Sequence, residues 1–136
     1  MTDPELVAQK LAFIETCVRE LRTMARPGDM QRDVREARFV LHTLQIAIQA
    51  ALDGASHIVS DERLGEPETN RELFERLAQH GWLPVDLAAT MVRMAGFRNI
   101  VVHGYGGVNL EMARDIVEHR LGDLLAFAAA LRARLG

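Results

Sequence analysis

The stretch ARFVLHTLQIAIQAALDGASHIV, residues 37–59, decides the fold. Its apolar residues Ala37, Leu41, Leu44, Ile48, Leu52, Ala55 and Val59 recur at steps of three and four. A helix turns once in about 3.6 residues, so this spacing places them on one face. The two faces differ in polarity, which is the pattern of a helix packed into a bundle. The helix is expected to begin near Asp29 and to end at SDERLGEPET, Ser60 to Thr69, which is polar and holds one glycine and one proline. That stretch reads as the main loop and is too short for a domain linker.

Working outward, Thr2 and Glu5 have the spacing of a helix cap and its partner, and Leu11, Ile14, Val18, Leu21 and Ala25 follow at helical intervals. A first helix is expected to about Arg26, ended by Pro27-Gly28. Thr69 and Glu72 open a short helix through Phe74 and Leu77 to about His80, with Gly81 as its stop. Pro84 suits the start of a fourth helix, which runs until the glycines at 104, 106 and 107 break it. Asn109 can cap a last helix with the stripe Ile116, Leu121, Leu124, Ala128, Leu131 and Leu135. No segment alternates with a period of two, and no repeat is present. The expected fold is all-α, an antiparallel bundle of about five helices formed by one domain over residues 1–136.

Composition narrows the function. The chain is 49% hydrophobic and 26% charged, with a formal net charge of -3, so it is foldable and lacks the broad basic surface that coats nucleic acid. A small basic site remains open. Lys10 is the only lysine, and arginine, which supplies the rest of the positive charge, suits planar contacts to phosphate and carboxylate. A single cysteine, Cys17, excludes an internal disulfide and points to a reducing cytoplasm. No apolar run reaches the roughly 18 residues that a membrane span needs, and the first residues lack a signal-peptide pattern.

One block is not explained by a plain bundle. Gly96-Phe97-Arg98-Asn99-Ile100-Val101-Val102-His103-Gly104-Tyr105 gathers a cation, an amide, an imidazole and a phenol at a helix end. Asn99 and His103 share a helical face, whereas Arg98 is about 140° around from His103. If they converge, the set can cut RNA without a metal, because the ribose 2′-hydroxyl is an internal nucleophile that needs a base, an acid and charge stabilisation. His103 would move the proton, Arg98 would hold the phosphate, Asn99 would orient either, and Tyr105 would contact the substrate. The spacing is equally compatible with a solvated arginine and a histidine favoured by the negative end of the helix dipole.

The block GFRNIVVHGY resembles the signature of the HEPN superfamily in the form of the HepT-like toxins: an arginine, a polar residue, a short run and a histidine, with a tyrosine two places on. The resemblance covers nearly the whole chain, through LHTLQIAIQAALDGASHIVS, RELFERLAQHGWLP, MVRMAGFRNIVVHGY and a closing amphipathic helix. It implies a homodimeric helical bundle and a metal-independent endoribonuclease without cofactors. Arg98 and His103 would be catalytic and Asn99 supporting. The partner implied is a minimal nucleotidyltransferase antitoxin that attaches AMP to Tyr105.

Other features read as structural. Asp53 and His57 are too few for a tight metal site. Trp82 reads as an anchor for the short helix, and the methionines read as filler. Three functions are thus distinguished: a ribonuclease toxin, a non-catalytic helical module that binds a nucleotidyltransferase, and a purely structural dimer.

Overall fold

The computed structural model describes the backbone of residues 3–103 and 110–135 and all their side chains except that of His103. Among these residues every regular element is helical: α1 Pro4–Met24, α2 Val34–Asp61, α3 Asn70–Gln79, α4 Val85–His103, α5 Leu110–Asp115 and α6 Leu121–Leu135. A 3-10 turn, Pro27–Asp29, lies between α1 and α2. A π-helical turn, Ile116–Arg120, joins α5 to α6 without a break, so α5 and α6 form one rod. No described helix is long and apolar enough to cross a membrane.

The helix starts follow capping chemistry. Asp3 accepts from the N–H groups of Glu5 and Leu6 and caps α1, in place of the expected Thr2, which lies outside the described residues. Asp33 does the same for Arg35 and Glu36, so α2 begins at Val34, five residues after the expected start near Asp29. Residues 27–29 close a 3-10 turn instead, and the backbone N–H of Arg26 is held by Glu36 at 2.7 Å. Thr69 caps α3 through the N–H of Glu72, as expected, and Gly81 leaves it at φ +80, a conformation costly for residues with a Cβ. The expected Asn109 cap and the break at glycines 104, 106 and 107 fall outside the described residues.

Packing centres on α2. Leu41, Leu44, Ile48, Leu52, Ala55 and Val59 are all buried, and so is a second line, Val40, Ala47, Ala51 and Ile58. Burial on two adjacent stripes makes α2 the central helix. One side receives α1, where Lys10 reaches Asp53 at 3.4 Å. Asp53 also accepts from Gln49 at 2.8 Å, so the carboxylate of the weighed Asp53–His57 pair is already engaged. Thr43, a buried polar residue, bonds to the Phe39 carbonyl at 2.7 Å, satisfying its hydroxyl.

The last rod explains an irregular spacing in its stripe. Ile116 and Leu121 are five residues apart, which in a regular helix would separate them by about 140°. The π turn over those residues takes up the extra residue. Both side chains stay in the core, with Leu124, Phe127, Ala128 and Leu131. Phe127 meets Phe74 of α3 edge to face, with centroids 5.9 Å apart. Trp82 is buried as an anchor, and Arg134 lies 4.8 Å over its ring while donating to the His80 carbonyl at 2.9 Å. At the other flank Arg132 clamps Glu15 of α1 with both terminal nitrogens.

Truncating Phe74 or Phe127 to alanine should cost about 3–5 kcal/mol, read as a fall in the urea midpoint at constant slope. The hydrogen bond from Arg132 holds the Glu15 carboxyl below its ordinary value of 4.5 despite some opposing burial. Its stabilising effect is therefore present above that value and fades as pH falls through the lowered one. Because the pair is exposed, Glu15→Gln should cost no more than about 1 kcal/mol at neutral pH. The gap between the two proteins should close in acid melts.

Candidate functional site

The candidate site sits on the last two turns of α4. Ala88, Met91, Met94, Ala95, Phe97 and Val101 are the buried residues of this helix. Arg98 follows Met91 by seven positions, about 20° from it around the axis, so an arginine occupies the flank of an apolar stripe. The consequence is visible in its burial. Arg98 is half-buried, and its Nε is enclosed without a hydrogen-bond partner among the described residues. Its Nη1 donates to the Oδ1 of exposed Asn99 at 3.2 Å. The arginine is packed at Nε, and among the described residues its fork gives one hydrogen bond, which leaves further donors.

Two of the expected residues, Arg98 and Asn99, are therefore brought together. Asn99 accepts this bond through Oδ1, which leaves its amide N–H groups for a further partner. Helix α4 runs unbroken to His103, so the backbone positions of Arg98 and His103 keep their separation of about 140°. The His103 side chain and Tyr105 lie outside the described residues.

The surroundings are apolar and open. Ile100, Val102 and Met112 are exposed by 47%, 41% and 44%. A cavity of about 410 Å³ runs between α4 and the start of the last rod, past Gly96, Phe97, Ile100, Met112 and Ile116. A Cβ at Gly96 would meet nothing within 4 Å. At the rim Arg120 faces Asp115 and Asp123 at 4.0 and 3.8 Å, and Arg93 contacts Thr90 at 3.3 Å. These rim residues, and the exposed faces of Ile100 and Met112, carried no sequence signal apart from their position beside the motif.

Cys17 is a nucleophile only on paper. It is buried in the core, and burial, with Glu20 adding to it, pushes its thiol up to about 11. Among the described residues no group of three metal-ligating side chains comes together.

Comparison with known proteins places this geometry in a family. Residues 14–131 match the family described as ribonuclease HepT-like. The mRNA nuclease HepT of Shewanella oneidensis is 30% identical over 130 residues, covering 95% of this chain and 98% of that protein. A tri-AMPylated HEPN toxin from Shewanella oneidensis, solved in complex with its MNT antitoxin, superposes with a TM-score of 0.87 at 30% identity, over 98% of this chain and 99% of the other. A chain from a toxin-antitoxin structure with AMP-PNP gives 0.89 at 28% identity, over 95% and 98%. With its fold, its motif-bearing helix and most of its length accounted for in this way, the chain belongs to the ribonuclease HepT-like family.

Proposed function

We propose that this protein is the toxin of a toxin-antitoxin pair: a metal-independent endoribonuclease of the cytoplasm, one domain per chain and active as a homodimer. The observation that carries this reading is Arg98, a half-buried arginine on the flank of an apolar helix stripe, whose Nε has no partner among the described residues. A residue retained there for stability alone would be apolar. The relatives, an mRNA nuclease and a HEPN toxin bound to its antitoxin, support the same reading.

The chemistry follows from the residue types. Arg98 binds two non-bridging oxygens of the scissile phosphate and stabilises the charge that builds on them, and Asn99 holds its fork in place. His103 takes the proton of the ribose 2′-hydroxyl as the O2′–P bond forms. A protonated imidazole returns a proton to the departing O5′ as the P–O5′ bond breaks. The products are a 2′,3′-cyclic phosphate and a free 5′-hydroxyl.

A base and an acid are needed at once, and one chain has one motif histidine. A second copy supplies the other. The apolar patch of Ile100, Val102 and Met112 beside Arg98 is the surface that a second copy would cover. Tyr105 is the point of control. A nucleotidyltransferase antitoxin transfers AMP from ATP to its hydroxyl, with pyrophosphate leaving, and the added phosphate repels the RNA backbone. The relative solved in tri-AMPylated form with an MNT antitoxin supports this regulation. That complex also favours a second reading, in which the helical chain chiefly binds a nucleotidyltransferase and cuts little.

Cells induced to express the chain alone should stop growing and lose RNA, and the His103→Ala chain should do neither at equal soluble yield. Harmless wild-type expression would move the binding reading to the front. Arg98→Met should abolish cleavage yet leave the urea midpoint unchanged or raised, because it removes a buried N–H that has no partner among the described residues. A fall of several kcal/mol would return Arg98 to a structural role. Ile100→Glu should shift the sedimenting species from dimer to monomer and lower cleavage with it.

A further inference from the structure

The first turns of α2 carry two arginines and a histidine that make no polar contact among the described residues. Arg35, Arg38 and His42 are exposed. Their spacing of three and four puts them within about 60° of one face and along about 10 Å of helix. Among the described residues none of these three side chains has a hydrogen bond or an ion pair. Other arginines contrast with them: Arg32, Arg71, Arg114 and Arg132 face Asp29, Glu75, Glu118 and Glu15. The acids nearest in sequence are committed elsewhere, Asp33 to the cap of α2 and Glu36 to the Arg26 backbone. In a chain of net charge -3, two exposed arginines on one face without an acid partner among the described residues make a locally positive patch.

Its position relates it to the motif. Arg38 and His42 edge a groove of about 630 Å³ whose apolar lining includes Ala37, Leu41 and Leu110. Leu110 opens α5, and the neighbouring residues of that same rod, Met112 and Ile116, line the cavity beside Phe97 and Ile100 of α4. The first turns of α5 therefore lie between the stripe and the helix end that bears Arg98, and both face the same end of the bundle. A groove with an apolar floor and cations along one edge fits a single-stranded polynucleotide, with bases against the floor and phosphates at the rim.

We propose that Arg35, Arg38 and His42 form a second RNA contact, which grips phosphates of the strand away from the bond that is cut and so sets affinity for long substrates. The proposal rests on the ribonuclease reading. One phosphate held by one motif binds weakly, and neutralising further phosphates is how an acidic protein can still hold RNA.

The test uses the full-length protein and a fluorescent 2′-O-methyl oligoribonucleotide, which lacks the nucleophile and binds without being cut. Arg35→Gln/Arg38→Gln/His42→Gln should bind it about tenfold more weakly than wild type, with a salt slope lower by about 0.7 for each phosphate that is no longer neutralised. Arg38→Lys should keep the slope, which a merely structural role would not predict. Arg71→Gln, on α3, should match wild type. Equal affinity and slope for the triple variant, with wild type still cutting unmodified RNA, would overturn this inference alone. Wild type that neither cuts nor binds RNA would overturn it together with the ribonuclease reading. If the triple variant keeps its RNA affinity but no longer binds the antitoxin, the stripe is a protein-docking surface and the proposal fails.

Discussion

The structure depends on the need of α2 to be buried along two adjacent stripes. A single stripe can be covered by one neighbour, but Val40, Ala47, Ala51 and Ile58 beside Leu44 and Ile48 are all fully or nearly fully enclosed. Helices must then stand on more than one side of it. That demand places α1 on one flank and α3 and α4 on another, with the last rod closing the bundle through Phe127 and Leu131. The same packing fixes which way α4 faces, and hence where its final turns emerge.

Arg98 is where fold and proposed chemistry meet. Its stem lies beside the stripe begun by Met91, so core packing limits how the side chain can move, and its fork has Asn99 against it at 3.2 Å. A group held in this way loses little freedom when it takes a phosphate, which is the usual advantage of building a site on a rigid element. The uncompensated Nε is a cost to stability, of the kind that proteins carry where function requires it.

The charges of the chain divide by use. Arg132 and Arg134 tie the last turns of α6 to Glu15 of α1 and to the His80 carbonyl after α3, and Arg120 stays with the acids of its own rod. Arg35, Arg38 and His42 hold nothing within the described residues, and Arg98 holds only Asn99. These cations lie at one end of the molecule, on either side of α5. An overall acidic composition thus hides a local positive region, which net charge alone cannot reveal.

What the sequence by itself determined was the set of helices and the residues they bury, because both follow from local period and capping chemistry. The stripes of α1 and α2 and the Thr69 cap are found as read, and the block from Gly96 to Tyr105 marked the end of α4 as the place to look. Boundaries were less legible where two local signals compete: α2 starts after the Asp33 cap and not near Asp29, and Asp3 takes the place of Thr2 at α1. Tertiary structure alone decided the rest. The five-residue step from Ile116 to Leu121 is harmless only because packing against the core favours a π turn there. His42, one of several scattered histidines in the sequence, joins Arg38 at the edge of a groove only because α5 folds back across α2. Such juxtapositions depend on contacts between residues far apart in the chain, and no local period encodes them.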